Sequence, residues 1–115
     1  MLDHQRYQRH YSLIGLEGQA KLKNGSVLII GCGGVGSPVS LYLPAAGVGT
    51  IGLIDNDVVS LSNLQRQILY TEEDVGKQKV ICASNHLKRL NKNVEIQIYD
   101  SRLTTENAEK IFSKY

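Results

Sequence analysis

The sequence predicts an α/β fold in which a Rossmann-like parallel sheet is flanked by helices. Two apolar runs, at residues 27–30 and 51–54, have the length of buried strands. The first run leads directly into a glycine-rich turn, and the second ends at Asp55, about 20 residues after that turn. In a strand–helix–strand unit this spacing sets an acid opposite the ribose of a bound nucleotide. The glycines of the turn are Gly31, Gly33, Gly34 and Gly36.

The segments on either side of the first strand predict the first helices. Residues 4–12 are typical of a short surface helix, and residues 19–23 predict a further helical turn. The glycine turn opens a helix over residues 34–46, which Gly47 can cap at its end. Pro44 lacks a backbone donor, so we expect it to kink or tighten the last turn of this helix.

Two helices and a third strand follow the second strand. Apolar residues at helical spacing predict a helix from Gly76 to about residue 90, and the tail over residues 104–115 is also helix-like. Between them, residues 94–99 alternate apolar and polar side chains, which indicates a strand with one buried face. In the strand order 3-2-1-4 this alternating strand lies outermost, and the first strand, apolar on both faces, lies in the centre.

No segment of the sequence predicts a fourth strand. We therefore expect residues 1–115 to form a partial nucleotide-binding domain of about three strands, the N-terminal half of a larger domain that is truncated before its fourth strand. The first strand would then keep one unpaired edge, and such edges promote pairing with other chains.

Length and composition exclude several classes of protein. The chain has 115 residues, of which 42% are hydrophobic and 21% charged, and its formal net charge is +2. This balance gives no support to nucleic-acid binding or to attachment at a membrane surface. The longest apolar run is far shorter than the roughly 20 residues that span a bilayer, and the polar N-terminus does not resemble a signal peptide. Two cysteines are too few for a disulfide framework, so we expect a cytoplasmic protein.

The polar segment after the second strand indicates which nucleotide is bound. Asn63 and Arg66 are three residues apart, so they share a face if this segment is helical, and Lys79 follows near the start of the next helix. Two cations that converge on one place suit a triphosphate, whose charge exceeds what backbone dipoles can neutralise. The pyrophosphate of NAD, in contrast, needs little beyond the amides at a helix N-terminus.

Several motifs resemble those of the ubiquitin-activating-enzyme-like adenylyltransferases, and within them the bacterial ThiF, MoeB and HesA group. The resemblance covers roughly residues 5–100, and its most specific block is Ser62-Asn63-Leu64-Gln65-Arg66-Gln67. The other motifs are Arg6-Tyr7-x-Arg9, Gly31-x-Gly33-Gly34-Val35-Gly36-Ser37, Ala46-Gly47-Val48-Gly49, Asp55-x-Asp57-x-Val59 and Val75-Gly76-x-x-Lys79.

This resemblance implies ATP-dependent adenylation of the C-terminal Gly-Gly carboxylate of a ubiquitin-like sulfur-carrier protein, of the thiamine or molybdopterin type. It implies that Gly34 lies against the nucleotide, that Asp55 holds the ribose and that Arg9 reaches the site of a second subunit in a homodimer. The catalytic residues it implies are Arg9, Arg66 and Lys79. The nucleotide-binding residues it implies are Gly31, Gly33, Gly34, Gly36, Asp55, Asp57, Ser62, Asn63, Leu64, Gln65, Arg66 and Lys79.

The resemblance implies ATP and magnesium as cofactors. The chain departs from the family pattern, however, in the residues that bind metal ions. The acidic residue that binds magnesium follows the fourth strand in the family, and the paired cysteines of the family's zinc site are absent here. Asp57 either assists magnesium or caps its loop. His4, His10 and His86 lack metal-ligand spacing, and we interpret Cys32 and Cys82 as small apolar fillers. We therefore predict no metal site within the chain.

Two other functions remain open at this stage. One is a non-catalytic module, which binds a ubiquitin-like partner or dimerises through its open sheet edge. The other is an NAD-dependent oxidoreductase, which would leave Asn63, Arg66 and Lys79 without a common purpose. For the adenylyltransferase, the short chain is a fragment, the product of a truncated gene, or one part of a split protein that a second chain completes.

Overall fold

The computed structural model describes residues 5–115, so His4 of the predicted N-terminal helix lies outside it. A 3₁₀ turn at Gln8–His10 leads into helix α1, Tyr11–Lys23. Gly15, with φ 68° and ψ 179°, kinks α1 near its start. Residues 19–23 are helical as predicted, and the helical stretch that holds them begins directly after the kink rather than at residue 19.

The remaining elements confirm the predicted α/β architecture. Strands β1, β2 and β3 form one parallel sheet in the order β1-β2-β3, and a helix follows each strand. The strands are β1 Ser26–Ile30, β2 Thr50–Ile54 and β3 Glu95–Tyr99, and the helices are α2 Gly36–Ala46, α3 Lys79–Leu90 and α4 Thr105–Phe112. The outermost position of β3 is as predicted. This sheet is that of a Rossmann-like fold.

Two helices begin later than the sequence predicts. Helix α2 begins at Gly36 rather than at residue 34, because the glycine turn continues to that point. Helix α3 begins at Lys79 rather than at Gly76, since Gly76 has φ 87° and Gln78 forms an antiparallel bridge with Val58. This bridge ties the loop after β2 to the start of α3.

The core lies between the sheet and helices α2 and α3. Strand β2 occupies its centre, with Ile51 and Leu53 fully buried against α3 residues such as Val80 and Leu87. Strand β1, in contrast, lies at the edge of the described sheet, and its last residue, Ile30, is 57% exposed. The expected central position of β1 is therefore not seen among residues 5–115, whereas its predicted unpaired edge is.

Contacts at the amino-terminal edge of the sheet hold the N-terminal segment. Asn91 donates to the Tyr7 hydroxyl at 2.8 Å and to the Pro44 carbonyl at 2.9 Å. Helix α2 continues through Pro44 and ends at the predicted cap, Gly47, whose φ is 98°. The residues just before α1 therefore pack at the edge opposite the glycine turn.

Within residues 5–115, no helix is both long and apolar enough to cross a membrane.

Candidate nucleotide site

A small cavity, open to solvent, lies at the carboxyl ends of the three strands. Its volume is about 330 Å³, and every strand contributes to it either its last residue or the residues that follow. In open α/β sheets this edge is where ligands bind. The cavity is lined by Ile30, Gly31, Ile54, Asp55, Asn56, Ser101, Arg102 and Leu103.

The glycine turn folds back closely on itself beside this cavity. Gly31 has φ 88°, a conformation that a side chain disfavours. A Cβ on Gly36 would lie only 1.9 Å from the Gly31 carbonyl oxygen, so only glycine permits this closure. Ser37 N donates to the Gly33 carbonyl at 2.8 Å and begins the hydrogen bonding of α2. The N-terminal amides of α2 thus lie at the carboxyl edge, where a helix favours an anion.

Asp55 connects the glycine turn to the loop after β2. Its Oδ2 accepts a hydrogen bond from Cys32 N at 2.8 Å, and its Oδ1 accepts one from Asp57 N at 2.8 Å. A carboxylate has about four acceptor positions, so Asp55 retains capacity for further donors. The residue lines the cavity and is half-buried. It can therefore accept hydrogen bonds from the hydroxyl groups of a ligand there.

Lys79 carries a buried positive charge next to this loop. The residue is 5% exposed, and its Nζ lies 3.6 Å from Asp57 Oδ2, whose side chain is 70% exposed. Its backbone N donates to the Asp57 carbonyl at 3.0 Å, which fixes the first turn of α3 against the loop. A buried ammonium is costly unless it is paired, and one exposed carboxylate pairs it only in part. Lys79 can therefore interact with a second anion.

Arg66 lies beside the glycine turn. Its Nη1 donates to the Ser62 carbonyl at 3.3 Å, and its Nε lies 3.9 Å from the position that a Cβ on Gly34 would take. Arg66 as a whole is exposed, so its remaining donors are free to bind a ligand. The absence of a side chain at Gly34 leaves the guanidinium room to approach the turn.

The loop that carries Arg66 is shaped by its own hydroxyl and amide groups. A 3₁₀ turn at Leu61–Asn63 is capped by Ser60, whose N donates to Asn63 Oδ1 at 3.0 Å. The hydroxyl groups of Ser60 and Ser62 lie 3.2 Å apart. Asn63 therefore has a structural role in this turn, while its amide nitrogen is available as a donor. Leu64 packs against the core, and Gln65 is exposed.

Most of the predicted site residues thus meet at the carboxyl edge of the sheet. Arg9 does not join them within one chain, because it lies in the 3₁₀ turn that packs at the opposite edge, where it is exposed. The residues that the fold brings to the carboxyl edge are Gly31, Gly33, Gly34, Gly36, Asp55, Asp57, Ser62, Asn63, Leu64, Gln65, Arg66 and Lys79.

Two ionisable groups beneath the glycine turn are held in their neutral forms. Burial, followed by the nearby Asp55 carboxylate, raises the pKa of the Cys32 thiol to about 12, and Lys79 opposes this shift only in part. The pKa of Tyr70 is also raised, first by burial and then by Cys32. The Tyr70 hydroxyl donates to the Cys32 carbonyl at 2.7 Å. These groups therefore support the turn and supply no nucleophile at neutral pH.

The sequence did not single out several residues at this site. Ser101, Arg102 and Leu103 line the cavity because they follow β3, and their position at a strand end was the available signal. Gln67, quoted only as part of a motif, is 4% exposed and lies under Gly33. Its burial depends on long-range packing, for which one sequence offers no signal.

A larger concavity lies elsewhere among the described residues. It measures about 840 Å³ and includes none of the predicted site residues. Two of its lining residues contact each other, with His86 Nε2 and Asp74 Oδ2 3.1 Å apart, and Asp74 also accepts a hydrogen bond from Thr71 N at 2.8 Å. Among residues 5–115, no three His, Cys, Asp or Glu side chains form a group that could hold a metal ion.

Curated relatives of this chain are adenylyltransferases. The probable molybdopterin-synthase adenylyltransferase of Porphyra purpurea is 45% identical over 115 residues, which are 98% of this chain and 30% of that protein. The sulfur carrier protein adenylyltransferase of Thermus thermophilus is 49% identical over 112 residues, which are 96% of this chain and 41% of that protein. The chain therefore spans less than half the length of either relative.

Solved structures with the same fold include nucleotide complexes. E. coli tRNA N6-threonylcarbamoyladenosine dehydratase, TcdA, in complex with AMP, has a TM-score of 0.92 at 28% identity, over 96% of this chain and 45% of that one. E. coli MccB with ATP has a TM-score of 0.84 at 38% identity, over 92% of this chain and 34% of that one. Residues 7–115, nearly the whole chain, match the ThiF family. The chain belongs to the ThiF family.

Proposed function

We propose that this chain supplies the ATP site of an adenylyltransferase that activates the C-terminal Gly-Gly carboxylate of a ubiquitin-like sulfur-carrier protein. The names of the curated relatives support both the reaction and the carrier. The structural neighbours differ in the substrates that their names print, and what they share is AMP or ATP. The nucleotide half of the proposal therefore has the broader support.

One observation carries the proposal: a carboxylate and two cations surround the glycine turn at a single edge of the sheet. Asp55 is hydrogen-bonded to the turn through Cys32 N, and the Arg66 guanidinium lies against Gly34. Lys79 lies against the loop after β2, where its Nζ is 3.6 Å from Asp57 Oδ2. An acid for the ribose beside cations for the phosphates suits ATP better than NAD, because the pyrophosphate of NAD needs only helix amides.

We assign the cavity at the strand ends to the adenosine part of the nucleotide. Asp55 lines it with unused acceptor capacity, and Leu103 and Ile30 offer apolar surface for a base. The phosphates would then extend over the glycine turn toward Arg66. The polar loop with Ser62, Asn63 and Gln65 would form the wall of the phosphate site.

The proposed chemistry follows from the charges of these residues. ATP supplies an activated phosphate, to which the incoming carboxylate becomes joined as pyrophosphate leaves. Because both partners are anions, they repel each other on approach, and a positioned guanidinium or ammonium offsets that charge as it develops. Arg66 and Lys79 would hold the phosphates in line in this way. Arg9, which lies at the far edge of its own subunit, would act on the site of a partner in a homodimer.

In this proposal, magnesium would bind together with the phosphates of ATP. The described residues form no metal cluster, and the Asp57 carboxylate already faces Lys79 at 3.6 Å. We assign no magnesium ligand within this part of the chain, and no zinc. Residues 1–115 would form the N-terminal half of the nucleotide-binding domain, and a cytoplasmic location stays a prediction of the sequence.

Exchange of labelled pyrophosphate into ATP tests the whole proposal. An adenylyltransferase returns label to ATP only when a carrier with an intact C-terminal Gly-Gly is present. A carrier that lacks its last glycine is the matched control. Exchange that needs the intact carrier and is lost in Arg66→Met would support the proposal. ATP binding with no exchange, under conditions where a full-length relative exchanges, would favour the non-catalytic binding module.

A further inference from the structure

The buried amide of Gln67 is an anomaly of this fold. The residue is 4% exposed, and its Oε1 is a buried oxygen with no hydrogen-bond partner. Among the described side chains that are not exposed, it is the one buried nitrogen or oxygen atom in this condition. A buried acceptor without a partner destabilises the folded state, so such an atom in a native protein calls for an explanation.

Two buried residues that follow Gln67 hold its segment against the first turn of α2 and against the glycine turn. Leu69 N donates to Ser37 Oγ at 2.9 Å, and the Tyr70 hydroxyl donates to the Cys32 carbonyl at 2.7 Å. The backbone of Gln67 is held as well, since its N donates to the Asn63 carbonyl at 2.8 Å. The backbone that carries the Gln67 side chain is therefore held next to the turn.

The amide presents its nitrogen to the glycine turn. A Cβ on Gly33 would lie 3.5 Å from Gln67 Nε2 and 3.9 Å from its Cδ. The opposite orientation would set a carbonyl oxygen against an incoming phosphate, which repels it. The observed orientation instead adds N–H donors to the helix amides that already favour an anion there.

We propose that Gln67 is a further phosphate-binding residue, which completes the donor set of the glycine turn at the expense of an unpaired oxygen on its inner side. This inference rests on the proposed ATP site, and it adds an uncharged donor to the two cations, Arg66 and Lys79, of that site. A residue kept only for packing would be better replaced by methionine, which has the same unbranched shape and no polar atom to bury. The two roles therefore differ in ATP affinity: a phosphate-binding role predicts that Gln67→Met weakens ATP binding, whereas a packing role predicts unchanged affinity.

The test measures thermal unfolding of the 115-residue chain and its ATP affinity by calorimetry. Gln67→Met removes the unpaired oxygen, so we expect it to unfold about 4 °C or more above the unsubstituted chain when no ligand is present. It also removes the donor, and ATP affinity is expected to fall roughly 10- to 150-fold. Gln67→Glu keeps the shape but sets a carboxylate against the phosphates, so it should bind ATP more weakly still.

Gln8→Met is the control, since Gln8 is exposed in the N-terminal 3₁₀ turn, and it should change neither quantity. Unchanged ATP affinity in both Gln67 variants, while the unsubstituted chain binds ATP, would overturn this inference and leave the proposed function intact. A lowered unfolding temperature of Gln67→Met without ligand would overturn it too, because the amide would then stabilise the fold. Failure of the unsubstituted chain to bind ATP at all would overturn both proposals.

Discussion

Replacement of Lys79 by methionine separates ligand binding from folding at the proposed site. The side chain of Lys79 is 6% exposed, whereas that of its partner Asp57 is 70% exposed. Lys79→Met removes the charge and leaves an unbranched side chain in the same place. Asp57 is not stranded, because water already solvates most of its carboxylate. The variant should therefore fold.

The geometry sets the size of each effect. At 3.6 Å and an effective dielectric of about 20, the attraction between Lys79 and Asp57 is about 4–5 kcal/mol before desolvation is subtracted. Exposure of the carboxylate reduces the net value to about 1 kcal/mol or less. Loss of a hydrogen bond to a charged phosphate costs about 1.5–3 kcal/mol, which weakens ATP binding roughly 10- to 150-fold. Binding should thus suffer more than folding.

Calorimetry with ATP and thermal unfolding without it measure these two effects on the same samples. We expect Lys79→Met to unfold within about 8 °C of the unsubstituted chain and to bind ATP at least tenfold more weakly. Lys77→Met is the matched control, because Lys77 lies two residues earlier and is exposed. Equal losses of affinity in the two variants would refute a specific role for Lys79, and so would normal ATP binding by Lys79→Met.

Three further predictions concern the same edge of the sheet. Asp55→Asn should weaken ATP binding about tenfold and remove the preference for ATP over 2′,3′-dideoxy-ATP in calorimetry, and a preserved preference would contradict the ribose role. Gly36→Ala should destabilise the chain by about 3 kcal/mol or more in urea, because its methyl group would lie 1.9 Å from the Gly31 oxygen. Gly34→Ala, where the nearest atom is 3.9 Å away, should unfold normally, and similar losses in both would argue against this clash. The buried Cys32 thiol, whose pKa is about 12, stays protonated in the fold at a pH where the unfolded chain ionises. The contribution of this pKa difference to the free energy of unfolding is complete below about pH 9, and it is lost toward pH 12 at about 1.4 kcal/mol per pH unit. The urea midpoint should therefore fall over that range, and less steeply in Cys32→Ala. An unaltered slope in Cys32→Ala would contradict the shift.

The sequence predicted the strands and the glycine turn well because local patterns specify them. A short apolar run that ends at Asp55 has few other structures open to it. The turn needs glycine at Gly31 because of its positive φ, and at Gly36 because of close backbone approach. The cap at Gly47 likewise follows from the left-handed conformation at a helix end.

The errors lie where distant segments decide the outcome. Helix α3 starts at Lys79 because Gln78 pairs with Val58, a contact that helical periodicity does not reveal. A run that is apolar on both faces predicts coverage of those faces, but it does not tell which edges are paired. The central position expected for β1 applies to a sheet with a fourth strand, whereas the unpaired edge expected without that strand is present among the described residues. The burial of Gln67 was missed for a similar reason, since a polar residue in a polar motif suggests solvent or ligand contact.

Amide signals of the isotope-labelled chain, followed by NMR during titration with ATP, test the central claim most directly. The claim is that the nucleotide binds at the carboxyl edge, between the glycine turn and Asp55. We predict the largest shifts at Cys32, Gly33, Gly34 and Asp57, with little change at Asn91 on the opposite edge. The largest shifts at residues 71–89, around the larger concavity, with an unperturbed glycine turn, would contradict it.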